Sequence, residues 1–206
     1  MSKPPNFEFI GFDLGHGETA LGRAYSRSMR EPEILEYRGE RSFVTAIART
    51  SKGVRIGTEA LNLAALAEAG LANADDVWVK FKSRDLDVKA VKTPTQLFAK
   101  SLFDHLSREG QIEGLDKSQF LIGCPSGWDA DTRGRYQALF QEVGLENCRI
   151  VAESRAALMT ALEVEDTLEK SITIPERLAE LKDLPEEFTS LDKDYKSFKI
   201  WFTEEM

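Results

Sequence analysis

Residues 7–19, Phe-Glu-Phe-Ile-Gly-Phe-Asp-Leu-Gly-His-Gly-Glu-Thr, constrain the fold more than any other stretch. An apolar run ends at Asp13, a turn follows with Gly15 and Gly17, and Thr19 resumes the chain. Residues 19–28 (TALGRAYSRS) carry no helical apolar stripe, and a second strand-like run follows at Glu33–Tyr37. The glycine turn is therefore expected to join two strands. Backbone amides in such a turn can face a phosphate, and a carboxylate at the strand end can hold a metal ion through water. An ordinary hairpin with glycines at positive φ fits the same residues. A dinucleotide fingerprint does not fit, because Gly15, Gly17 and Gly22 are wrongly spaced and no helix follows. A Walker loop needs Gly-Lys-Ser/Thr at its end, and none is present.

The pattern beyond the turn is strand-rich, then alternating. Strands are expected at about 20–26, 33–37, 43–48 and 54–56, the last two joined through Ser51-Lys52-Gly53. Thr58 is placed to cap a helix with Leu61, Ala64, Ala65 and Leu66 as its apolar stripe and Gly70 as its stop. Trp78-Val-Lys-Phe81 reads as a short extended element with Lys80 and Lys82 on one face. Thr93-Pro-Thr-Gln96 has the form of a helix start, with Leu97, Phe98, Leu102 and Leu106 following at helical spacing. Gln119–Gly123 reads as a strand leading into Cys124-Pro125. Asp129 caps the next helix and Gly144 stops it; Arg149–Ala152 is the last strand, and Glu153 opens a final helix. The expectation is an α/β unit with a mixed five-stranded sheet and flanking helices. Ligand sites in such sheets gather at strand ends, so Phe7–Asp13, Phe120–Gly123 and Arg149–Val151 should share the sheet, with Asp13 and Glu153 at neighbouring ends.

Composition narrows the function classes. The 206-residue chain has a net charge of −8, which argues against a general nucleic-acid surface. No apolar run approaches the ~20 residues of a membrane span, and Met-Ser-Lys-Pro-Pro-Asn at the start lacks an apolar signal core. A cytoplasmic protein is the expectation. Two cysteines and two histidines at unrelated spacings do not form a zinc pattern; Cys124 and Cys148 are read as free buried thiols. Residues 166–206 differ in character, with 11 acidic against 6 basic side chains, and are read as an appended acidic segment that docks through Phe198, Ile200, Trp201 and Phe202 or stays disordered.

Five segments in order resemble the N-terminal nucleotide-binding lobe of the DnaK-type heat-shock chaperones, within the actin and sugar-kinase superfamily of ribonuclease-H-like folds. Phe9-Ile-Gly-Phe-Asp-Leu-Gly-His-Gly17 looks like the family's first phosphate loop, Gly-Ile-Asp-Leu-Gly-Thr-Thr. Arg55-Ile-Gly-Thr-Glu-Ala60 resembles its Val-Gly-x-x-Ala, and Trp78-Val-Lys-Phe-Lys82 falls where the family carries its catalytic lysine. Phe120-Leu-Ile-Gly-Cys-Pro125 with Asp131-Thr-Arg133 is similar to Val-x-x-x-Val-Pro followed by Gln-Arg. Gly144-Leu-Glu-Asn-Cys-Arg-Ile-Val-Ala-Glu-Ser-Arg-Ala-Ala157 follows Gly-Leu-x-x-x-Arg-Ile-Ile-Asn-Glu-Pro-Thr-Ala-Ala.

The resemblance implies an actin-like ATPase lobe over residues 1–165 that binds ATP with Mg2+. Asp13 would hold the metal through water, and Gly15, His16 and Gly17 would face the phosphates. Lys80, with Lys82 second, would stabilise the transferred phosphate; Glu153 would orient or polarise the attacking water or a metal-bound water; Pro125 would be a relay point. Three departures follow. His16 and Gly17 stand where the family has threonines, and Glu153-Ser154 replaces Glu-Pro. After Leu162 comes Glu-Val-Glu-Asp-Thr-Leu-Glu-Lys, with no second phosphate loop and no adenosine-binding lobe. Such a lobe would be incomplete for efficient hydrolysis unless a second lobe, a second copy or a partner protein supplied the other wall. A non-catalytic protein-interaction module that kept the lobe's fold is the alternative, and an unrelated α/β small-molecule binder the third.

Overall fold

The computed structural model describes residues 6–26, 32–153 and 156. The chain divides into two units at Arg155/Ala156, and everything below concerns the first. The helix expected after Glu153 and the acidic segment 166–206 lie outside the described residues.

The unit is mixed α/β. Nine strands occur among the described residues: β1 Glu8–Leu14, β2 Glu18–Tyr25, β3 Glu33–Leu35, β4 Ser42–Val44, β5 Ala46–Thr50, β6 Gly53–Ile56, β7 Asp76–Val79, β8 Gln119–Cys124 and β9 Cys148–Ala152. Three helices join them: α1 Thr58–Glu68, α2 Lys89–Arg108 and α3 Ala130–Gln141. The main sheet has the order β3-β2-β1-β8-β9, with β4 also paired to β2. The glycine turn joins β1 and β2 as an antiparallel hairpin with Leu14 opposite Thr19, as the absence of a helical stripe required. β1, β8 and β9 run parallel, so the sheet is mixed.

One sheet of five strands was expected; there are two sheets, of six and three strands, because the 43–48 run divides at Thr45. The Thr45 amide donates to the Gly17 carbonyl at 2.8 Å. Its hydroxyl meets that of Thr19 at 2.9 Å, both buried. On one side β4 pairs with β2, and on the other β5 is the centre of the small sheet β6-β5-β7. Ala46 and Ala48 on β5 leave room for Ala60 of α1.

The core is apolar and aromatic. β1 alternates: Ile10, Phe12 and Leu14 are buried, whereas Asp13 is only partly covered. Phe12 stands edge-on to Phe103 of α2 and Phe140 of α3, at ring separations of 5.1 and 6.0 Å. Each such buried side chain contributes about 1.5–3 kcal/mol by leaving water. Glu8, the one buried charge on this strand, accepts from the Glu113 amide at 2.9 Å and from the Ser118 hydroxyl, which satisfies a group that would otherwise be costly to bury.

Two helix starts differ from expectation. α2 begins at Lys89, not at Thr93, so Pro94 lies inside the helix. Val91 packs against the core one turn before Thr95 and Phe98, and this packing extends the helix past the local capping signature. Gly57, at φ 69, takes the N-cap of α1, and the Thr58 hydroxyl instead donates to Glu40 at 3.2 Å. The stripe assigned to α1 is not its buried face. Leu61 and Leu66 are 37% and 46% exposed, and Ala60 is the buried residue. The remaining end signals hold: Asp129 accepts from the Thr132 amide at 2.7 Å, and Gly70 and Gly144 have the positive φ of helix stops. Both cysteines are free and buried. No helix among the described residues is long and apolar enough to cross a membrane.

Candidate functional site

The parallel strands β1, β8 and β9 bring their C-terminal ends to one edge of the main sheet. Asp13 lies there on β1, Gly123 on β8, and Glu153 directly after β9. Gly123 separates the two carboxylates. A Cβ at that position would lie 3.2 Å from Glu153 Cγ and 3.6 Å from both Asp13 Oδ1 and Glu153 Oε1. The missing side chain is what lets the carboxylates close over the strand, the usual meaning of a glycine inside a strand.

A lysine completes the group. Lys82 Nζ donates to Glu153 Oε1 at 2.5 Å. Its side chain is 7% exposed and that of Glu153 39%. Lys80 is placed differently. It is exposed and has φ 53, so the chain leaves the extended conformation just after β7. The two lysines therefore do not share a face, and Lys82 is the one brought to the carboxylates. Only a left-handed bend at a non-glycine residue makes this so, and the sequence carries no sign of it.

Two carboxylates against one ammonium leave the cluster net negative. Partial burial raises the pKa of Asp13 above its ordinary 3.8, repulsion from Glu153 adds to this, and Lys82 pulls the other way. A cation beside Asp13 would relieve both effects. No group of three His, Cys, Asp or Glu side chains suited to a metal occurs among the described residues. One or two carboxylates fit Mg2+, which keeps several waters and is shared with phosphates, better than an all-protein cage.

Beneath the cluster lies a residue with no sequence signal. Tyr136 of α3 is buried, edge-on to Trp128 at 4.9 Å and Phe140 at 4.8 Å. Its hydroxyl has no hydrogen-bond partner among the described residues. Burial first, then the negative potential of Glu153, Cys124 and Asp13, holds the phenol far above its ordinary pKa. Tyr136 therefore stays neutral, and its hydroxyl needs a partner that a water or ligand oxygen can supply. Burial, and secondarily Glu153, also raises the Cys124 thiol, against Arg133 and Lys82; as a neutral thiol it is a poor nucleophile.

The turn Gly15-His16-Gly17 follows directly on Asp13, with His16 and Gly17 exposed. Neither glycine has the positive φ expected of them. The need at Gly15 is steric: a Cβ there would collide with the Glu18 carbonyl oxygen across the hairpin, whereas one at Gly17 would meet nothing within 4 Å. Gly15→Ala is accordingly expected to cost about 1–3 kcal/mol, or about 2–12 °C in Tm for a unit of this size. Gly17→Ala should leave Tm unchanged. Thermal unfolding of the two variants by circular dichroism checks this, and equal losses would refute it. Pro125 follows β8, and its carbonyl accepts from the Trp128 amide at 3.2 Å.

Compared with known proteins, the chain matches no family model and no curated relative.

Proposed function

We propose that this unit is an ATP-binding lobe of the actin-like type found in the DnaK-type chaperones, and that by itself it hydrolyses ATP slowly or not at all. The observation that carries the reading is the meeting of Asp13, Glu153 and Lys82 around side-chain-free Gly123, at the C-terminal ends of parallel strands and next to the glycine turn. Open α/β sheets bind ligands at that edge, and phosphoryl transfer is mostly positioning and charge neutralisation.

Asp13 would hold Mg2+ through water, and the ion would neutralise phosphate charge. Amides of the Gly15–Gly17 turn would face the phosphate oxygens. Lys82 holds Glu153 in place and offers a cation to the terminal phosphate. Glu153, still partly exposed, can accept a proton-side hydrogen bond from a water and orient it. His16 and Gly17 provide no aliphatic hydroxyl for the phosphate, and no second phosphate loop occurs in the sequence after Leu162. Misplacement by about 1 Å can cost ~100-fold in rate, so one wall of a two-walled cleft should turn over poorly.

Isothermal calorimetry with ATP, with and without Mg2+, tests the binding. Saturable, Mg2+-dependent heat is expected, and steady-state phosphate release should sit near the no-enzyme baseline and change little in Glu153→Ala. Robust turnover abolished by Glu153→Ala would overturn the claim of incompleteness. Calorimetric silence in a folded protein would favour the second reading, a non-catalytic interaction module. That reading draws on the apolar side chains left exposed around α1 and β7: Leu61, Leu66, Leu71, Val77 and Val79.

A further inference from the structure

A second polar cavity, sharing no residue with the carboxylate cluster, lies between α2, β6 and the segment after β3. Its volume is about 400 Å3, within the ~300–1,000 Å3 usual for small-molecule sites. Three guanidiniums line it, those of Arg38, Arg55 and Arg108.

The carboxylates nearby do not balance them. Glu59 serves two arginines: Oε1 pairs with Arg38, and Oε2 lies 3.8 Å from Arg55 Nε. Arg108 Nε donates to the Asp104 backbone carbonyl at 3.1 Å, and the Asp104 carboxylate is 3.1 Å from Lys100 Nζ. Positive charge is left over, and it converges. The Tyr37 hydroxyl, buried at the cavity, has its pKa raised by burial, and the three charges of Arg38, Arg55 and Arg108 all act against that rise. Arg38, at φ 54, and Gly39, at φ 81, form the two-residue turn between Tyr37 and Glu40, as tight hairpins require. Glu59 Oε2 is closed off from solvent beside Arg55, so neither Glu59 oxygen is left for a ligand. The cavity thus presents guanidiniums in excess over carboxylates, with a phenol beside them.

We infer that this cavity binds a small phosphate-bearing anion, its phosphate seated among Arg38, Arg55 and Arg108. Arginine forks match phosphate oxygens in pairs, and such charge-assisted bonds are roughly twice as strong as neutral ones. The inference does not depend on ATP binding at the carboxylate cluster.

Calorimetry of the full chain with glycerol 3-phosphate and with inorganic phosphate is the test. Both compounds should give saturable heat. Arg108→Gln, at an exposed position where folding is not at stake, should weaken both by about 10-fold or more, the usual loss for a charged hydrogen bond. Arg49→Gln, whose arginine pairs with Asp76 and does not line the cavity, should change neither. No binding of either compound at millimolar concentration would overturn the proposal. So would equal affinity in wild type and Arg108→Gln, or equal losses in Arg108→Gln and Arg49→Gln, which would mark a non-specific charge effect.

Discussion

Replacing Asp13 with asparagine is expected to weaken Mg2+·ATP binding by about 10–100-fold, the range seen when a group that orients a metal's surroundings is lost. It is also expected to raise the Tm of the ligand-free protein at neutral pH. The second effect follows from the direction of the pKa shift. Burial and Glu153 lift Asp13 above 3.8 in the folded state. Between 3.8 and that raised value the folded protein holds a proton that the unfolded chain has released. Stability contributed by this group therefore falls as pH rises through the window, and it stays lower above it. Asparagine carries no such charge, so the difference in Tm should be present at pH 7 and close as pH falls to about 3.8. A residue kept at a cost to stability is the mark of a working site. Calorimetric titration and melting curves across pH check both halves. A loss of Tm at pH 7 would make Asp13 a structural residue and remove the site's basis.

The largest effect on stability is expected one residue earlier. Phe12→Ala should cost about 3–5 kcal/mol, which at about 2–4 °C per kcal/mol lowers Tm by roughly 6–20 °C. Phe12 is 1% exposed and ties the central strand to both α2 and α3 through Phe103 and Phe140. The void would be bounded by rings fixed on two helices, so little collapse can offset it. Phe12→Leu should retain more than half of the lost stability. A Tm drop below about 3 °C for Phe12→Ala would show that β1 is not the centre of the core.

What the sequence made legible was local. The β1–β2 hairpin, the Asp129 cap and the helix stops at Gly70 and Gly144 each depend on a few adjacent residues. Asp13 was marked by the glycine turn after it and Glu153 by the family resemblance, and the parallel strands bring the two together as expected. What stayed hidden depends on partners far along the chain. The start of α2 is decided by Val91 against the core rather than by Thr93-Pro94. The exposure of Leu61 and Leu66 follows from which side of α1 meets β5, and helical spacing alone chose the wrong side. Lys82 joins Glu153 across 71 residues, and Tyr136 gains meaning only from the three acidic groups around it. Gly123 did carry a signal, a glycine closing an apolar strand, but its use became clear only with carboxylates on either side.

The junction at Thr45 gives the turn a mechanical connection. The Gly17 carbonyl is tied to the Thr45 amide, and the Thr19 and Thr45 hydroxyls are paired beside it. Gly17 cannot swing toward a ligand without stretching that hydrogen bond or drawing the start of β5 along, and β5 is the spine of the small sheet that carries α1. If the proposed nucleotide occupies the turn, the change should be felt at Thr45, a residue that need not touch the ligand. Proton exchange at the single Thr45 amide is the place to listen for it.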